Sequence, residues 1–211
     1  MSPRRADDLH AVLRDRVLSG ELPPGTPLRE EALAEEHAAS RHTVRTALAA
    51  LVAERLASAA PFAGVRVAAL DDDDVRSLQD LRRAVESEAV RLAGERWGSA
   101  WPTEVVAVLD ERADALERAV RGAAAEPLAV LREHAALHEA LVAVAGSRRL
   151  TEAAAALGAE VRLFTAHLQL HRSPAALAEQ HRAYLRDVRE RGPVAVREHL
   201  AASQDALLSG R

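Results

Sequence analysis

Cysteine, lysine, isoleucine and asparagine do not occur in the 211 residues, and the aromatic side chains are two Trp, two Phe and one Tyr. Without cysteine there is no disulfide framework, no thiol nucleophile and no thiolate metal ligand, which agrees with a reducing compartment. Without lysine, every full side-chain cation is an arginine, so the arginine count alone is no sign of phosphate binding. No apolar run approaches the ~18 residues that suggest a membrane span, and the polar, charged N-terminus does not support a secretory signal. A cytoplasmic protein with no membrane partner is therefore expected. Its core has to be built from Leu, Val and Ala, and Ala and Leu favour helix.

What is present divides unevenly. The net charge is −4, yet residues 1 to 66 carry nine Arg against nine acids, so the acidic excess lies beyond them. In this first third, Leu9, Val12, Leu13, Arg16 and Val17 form one stripe of a helix over 7–19, ended by Gly20. A rigid turn, Glu21-Leu22-Pro23-Pro24-Gly25-Thr26-Pro27, leads to a second helix over 30–37 with Leu33 and Ala34 inward. Ala38-Ala39 then makes a tight turn before Ser40, which can cap a third helix. Val44, Leu48 and Leu51 of that helix face a core at helical spacing, while Arg41, Thr43 and Arg45 project from its first turn and a half. This is the form of a recognition helix in a helix-turn-helix, whose N-terminal side chains reach base edges and phosphates in a major groove. Residues 56–60 and 65–68, separated by Pro61-Phe62-Ala63-Gly64, read as the hairpin of a wing.

Leu22-Pro23-Pro24-Gly25, Leu33-Ala34, Ser40-Arg41-x-Thr43-Val44-Arg45-x-Ala47-Leu48-x-x-Leu51 and the Gly64 wing together resemble the GntR family of bacterial transcription regulators. Arg41 and Arg45 are then the main candidates for base or phosphate contact, with Ser40, His42 and Thr43 beside them and Gly64 letting the wing tip approach the minor groove. His42 replaces the small residue usual at its position, and Ala63 stands where the family often has Arg.

From Asp71 onward the pattern is helical throughout: 72–97, 103–121, 126–145, 148–171 with Gly158 as a candidate interruption, 174–191 and 193–208. Pro127, Pro174 and Pro193 sit at helix starts, where a missing N–H costs little. The expected fold is mainly α: a winged helix-turn-helix with a small β-wing over 1–69, and an all-α bundle over 70–211. Asp71-Asp72-Asp73-Asp74 reads as a charged linker that also favours the next helix start. Trp97 and Trp101, either side of a break, read as packing residues.

His134 and His138 lie four apart on one helix face and can offer two imidazoles to one metal. His167 and His171 repeat that spacing and read as surface or hydrogen-bonded histidines. Leu81-Arg82-x-x-x-Glu86-x-x-Ala89-x-x-Leu92-Ala93 is similar to the opening helix of the metal-binding FCD type of sensor domain. The resemblance implies His134, His138, His181 and His199 as metal ligands, with His134 in place of the family's Asp, Glu139 following His138, and an interval from His181 to His199 about four residues shorter than usual. Three or four imidazoles favour zinc or nickel over manganese. Arg82 has two readings: the fork that meets an effector carboxylate, or a salt bridge with Glu86 one turn on.

The whole implies a homodimeric regulator, a repressor by default, that binds double-stranded operator DNA and answers to a small organic acid. The rivals are a metal-dependent enzyme whose histidines activate a water, and a metal-free sensor of the same architecture.

Overall fold

The computed structural model describes residues 3–60, 64–124, 126–168 and 173–210. The wing turn at Pro61-Phe62-Ala63 and His171 of the second histidine pair lie outside the described residues. The chain divides into two compact units, Met1–Ala69 and Leu70–Arg211.

The first unit runs α1 (Pro3–Leu18), α2 (Glu30–Glu36), α3 (Arg41–Ala53), β1 (Ala57–Ala60) and β2 (Gly64–Val67). Leu9, Leu13 and Val17 of α1 are buried with Leu33 of α2 and with Val44, Ala47, Leu48 and Leu51 of α3, and α1 packs on α3. Between α2 and α3 the backbone passes through Ala38 at φ +48°, a left-handed conformation that costs an L-residue roughly 1–2 kcal/mol. Ser40 then caps α3, its Oγ accepting the Thr43 N–H at 3.1 Å, a contact worth about 1 kcal/mol. The polar head of α3 is thereby placed just after a sharp corner.

The wing is an antiparallel pair in which Ala57 faces Val67 and Ala60 faces Gly64. An Ala-Ser-Ala-Ala strand has little β-propensity of its own. It is held by buried Leu56 and Val67 and by a third segment: Leu28 N–H donates to Val65 O at 2.8 Å and Val67 N–H to Thr26 O at 2.9 Å. The Pro-rich stretch after Gly20 therefore ends by lining the wing.

The second unit is a bundle of α4 (Asp72–Trp97), α5 (Thr103–Arg121), α6 (Pro127–Ala143), α7 (Arg148–Leu168), α8 (Pro174–Arg191) and α9 (Pro193–Ser209). α6 packs on α4, α5 and α7, and its buried residues, from Ala129 through Leu131, His134, Leu137, His138 and Leu141 to Val142, cover more than one face. A helix enclosed on several sides is the interior rod of its bundle, so the two histidines on α6 are carried into the core. Trp97 and Trp101 pack together, their rings 5.8 Å apart.

Two expectations are corrected. Asp71–Asp74 is no linker: Asp71 is the N-cap of α4 and forms a reciprocal capping box with Asp74, which satisfies two orphan backbone donors at once. α7 also runs through Gly158 without a break. One interior glycine costs a helix only ~1 kcal/mol relative to Ala, less than the burial of Leu157, Val161 and Phe164 around it returns.

Candidate functional site

At the head of α3, Arg41 and Arg45 stand in solvent, their side chains 63% and 64% exposed. Each is held by a carboxylate of α2: Arg41 Nη2 donates to Glu31 Oε1 and Arg45 Nε to Glu30 Oε2, both at 2.7 Å. Exposed pairs of this kind contribute at most ~1 kcal/mol, so a phosphate can displace the carboxylate. His42 and Ser40 are also exposed, as is Gly64 at φ +73°. Thr43 departs from the expected contact surface: it is buried, its Oγ1 2.9 Å from Ser40 Oγ. It fastens the helix start and presents little of itself to a groove.

In the second unit, His134, His138 and His181 are each buried and bring one ring nitrogen apiece within 4.8 Å of the others. Their surroundings fix where the ring protons lie. His138 Nδ1 is 2.8 Å from Glu86 Oε2, which can only accept. His181 Nδ1 is 2.7 Å from the Leu177 carbonyl. His134 Nδ1 is 3.0 Å from Thr165 Oγ1, and that hydroxyl spends its own proton on Val161 O at 2.7 Å. All three rings therefore donate from Nδ1 and keep a lone pair on Nε2. Two of these lone pairs, on His138 and His181, face each other at 3.2 Å, where neither can donate to the other. A divalent cation fits such a group: three neutral imidazoles with converging lone pairs, each ring oriented by a hydrogen bond on its far nitrogen.

Burial pushes all three imidazoles toward the neutral form. His134 and His138 are driven well below the usual histidine range by desolvation, helped by the neighbouring rings and the Arg82 cation, and His181 falls to about 4. His199 lies beside the group of three rather than in it. Its ring is 4.7 Å from that of His181 and 5.6 Å from that of His138, and it stacks on Tyr184 at 4.0 Å. Loss of solvent and the two nearby rings hold it, too, well below the usual range.

The polar surround comes mostly from α4. Glu86 spends both oxygens: Oε1 accepts Arg82 Nε at 3.0 Å, and Oε2 accepts His138 and the Tyr184 hydroxyl, the latter at 3.3 Å. Arg82 Nη1 donates to Gln79 Oε1 at 3.3 Å. Arg82 Nη2 and Gln79 Nε2 are buried with no hydrogen-bond partner among the described residues. The salt-bridge reading of Arg82 is the one the structure shows, and one nitrogen of its guanidinium is left without a partner among the described residues. Arg82, Glu86 and His138 line a narrow pocket between α4, α6 and α7, walled mainly by Val85, Ala135, Val142 and Leu157. Gln79, Thr165 and Tyr184 were not singled out by sequence. The signal was there for Gln79, one turn before Arg82 on the face that also carries Val75 and Glu86, all buried.

Both units have known relatives. Residues 5–67 match the model of the gntR family of bacterial regulatory proteins, and residues 77–205 match that of the FCD domain. The "HTH-type transcriptional repressor GlaR" of Escherichia coli (strain K12) is 32% identical over 149 residues, 69% of this chain and 65% of that protein. An "Uncharacterized HTH-type transcriptional regulator in unstable DNA locus" of Streptomyces ambofaciens is 35% identical over 206 residues, 94% of this chain and 83% of that one. A solved GntR transcriptional regulator from Rhodococcus sp. RHA1 shares the fold with a TM-score of 0.75 at 22% identity, over 99% of each chain. E. coli McbR/YncC does so with a TM-score of 0.67 at 22% identity, over 99% of this chain and 97% of that one.

These relatives and this fold are those of transcriptional regulators, not of an enzyme. The chain belongs to the GntR family, with a winged helix-turn-helix followed by an FCD effector-binding domain. None of its described helices is long and apolar enough to cross a membrane.

Proposed function

We propose that this regulator is a cytoplasmic homodimeric repressor that releases its operator when a small carboxylate enters the helical unit. The observation that carries the reading is the unpartnered Nη2 of buried Arg82 on the wall of the cavity it shares with His138. A buried guanidinium donor with nothing to donate to is costly, and a carboxylate is the group its planar fork fits best.

His134, His138 and His181 would hold a zinc or nickel ion, the ions that three neutral imidazoles favour. His199 becomes a fourth donor if its ring turns from Tyr184. When bound, the ion supplies a Lewis-acid point for a ligand oxygen. The rest of the work belongs to the chain: Glu86 orients His138, Arg82 meets the carboxylate, and the apolar wall excludes water. Arg82 lies on α4, which begins only a few residues after β2. A ligand that favours one position of α4 therefore acts on the helix joined most directly to the wing, and it shifts operator affinity only to the extent that it binds one arrangement better than the other.

On DNA, Arg41 and Arg45 of α3 would enter the major groove with His42 and Ser40 beside them, while Gly64 lets the wing tip approach the minor groove. Two such units on a two-fold related operator bind with a steep salt dependence, because several phosphate contacts release counterions together. The test is a gel shift against the DNA upstream of the protein's own gene, repeated with a panel of small organic acids. A specific shift relieved by one acid is expected, and Arg45→Ala weakens the shift by about 1–3 kcal/mol with the fold intact. Specific binding unchanged in Arg45→Ala overturns the assignment of α3. Binding that no acid relieves overturns the sensor assignment.

A further inference from the structure

Glu139 is the residue that neither the recognition helix nor the histidine group uses. It follows His138 on α6, is half-buried, and lines the same cavity as Arg82. No hydrogen bond or ion pair takes up its carboxylate among the described residues, and its charged neighbour is Arg162. Directly across from it, α7 carries Gly158 in an ordinary helical conformation, so backbone freedom does not explain the glycine. A Cβ at Gly158 would stand 2.8 Å from Glu139 Oε1 and 3.8 Å from Arg162 Nη1. The missing methyl is the space in which the Glu139 carboxylate sits.

The cavity therefore has charge of opposite sign on its wall. Arg82 offers a buried N–H without an acceptor, Glu139 a half-buried carboxylate whose cationic neighbour is Arg162, and Val85, Val142 and Leu157 lie among them. Glu86 lines the cavity as well, but its oxygens are already taken by Arg82, His138 and Tyr184. A plain monocarboxylate would satisfy Arg82 and give Glu139 no hydrogen-bond donor beyond its neighbour Arg162, and a dicarboxylate would bring a like charge against it. A molecule bearing both a carboxylate and an ammonium satisfies both groups.

We infer that the effector is an amino acid in the broad chemical sense, a small zwitterion whose carboxylate is held at Arg82 and whose ammonium is held by Glu139 in the recess opposite Gly158. The inference rests on the carboxylate-sensor reading above and narrows its ligand class. Unlike the acid expected from sequence, this effector carries no net charge.

The test uses full-length, zinc-loaded protein and calorimetric titration with three matched series: β-alanine, butyrate and succinate; γ-aminobutyrate, valerate and glutarate; δ-aminovalerate, hexanoate and adipate. Within a series the carboxylate end and spacer are constant and the far group is ammonium, methyl or carboxylate. In the series of fitting length, the ammonium member is expected to bind about tenfold or more tighter than the methyl member, a difference of roughly 1.4 kcal/mol, with the dicarboxylate weakest. Glu139→Gln levels the ammonium and methyl members while the methyl member keeps its affinity. Gly158→Ala, which displaces the carboxylate without removing it, does the same in a chain that melts no lower than the parent. Tightest binding by a methyl or dicarboxylate member, or an ammonium preference untouched by Glu139→Gln, overturns the inference and leaves the carboxylate sensor standing. Binding by no member of any series overturns both.

Discussion

Arg45 meets Glu30 at 2.7 Å with its side chain 64% exposed, whereas Arg82 meets Glu86 at 3.0 Å with only 3% exposed. The residue types are the same and the distances are similar, yet the two pairs do different things. In water the Arg45 pair is a loose clasp that a phosphate can open, and the helix it sits on does not depend on it. Inside the bundle the Arg82 pair is a commitment: each charge has lost its hydration, and neither can be removed without stranding the other. One arginine is available to a partner because it is barely held. The other is available because one of its donors was left over after the rest were spent.

The difference can be tested from its larger consequence to its smaller. Arg82→Ala leaves Glu86 buried and under-compensated, and urea unfolding is expected to show a loss of about 3–5 kcal/mol; a loss under 1 kcal/mol would mean that the pair is solvated. Zinc at a hundredfold excess over its Kd should stabilise the chain by about 2.7 kcal/mol, and His181→Ala should remove most of that. Acid removes it too, and the sign follows from the buried rings. The folded state holds His181 at about 4, below the ordinary 6.5, so between those values the unfolded chain binds more protons. Stability is therefore fully present above pH ~6.5 and falls as the pH drops toward ~4, and protons compete for Nε2 in the same window. Melting at fixed zinc across that range checks both.

On the other side of the comparison, Arg45→Ala should weaken operator binding by about 1–3 kcal/mol while unfolding stays within about 0.5 kcal/mol of the parent. The smallest effect is the most pointed. Glu30→Gln with Glu31→Gln opens both clasps, so DNA affinity should rise by less than ~1 kcal/mol, read as a few-fold tighter gel shift at low salt. Weaker binding by this pair would mean that the carboxylates position the arginines for the groove rather than occupy them.

Much of the fold was legible because its punctuation is local. α4 and α5 begin and end where the sequence suggested, since Asp71, Gly98, Pro102 and Gly122 mark their ends with side-chain chemistry or backbone conformation. Gly158 misled because a glycine in a helix was weighed by propensity, and its purpose lies across the cavity on α6. The histidines were legible from their spacing and from the resemblance to the FCD domain. Thr165 and Tyr184 were not, because a single polar residue on a helix face repeats at no spacing that would mark it, whereas Gln79 shares its face with Val75, Arg82 and Glu86. Thr43 reads as a contact because it lies with Arg41 and Arg45 in the first turn and a half of the recognition helix, but its place in the helix turns it toward Ser40 and the core.

The three ring protons are each assigned by a different kind of acceptor: a carboxylate on α4, a main-chain carbonyl on α8 and a hydroxyl on α7. Loss-of-control alleles in a genetic screen should accordingly scatter to Glu86 and Thr165, far apart in the gene and silent in any motif search for metal ligands. Phenotypes that look like damage to unrelated helices would trace back to three imidazoles that can no longer all turn the same edge inward.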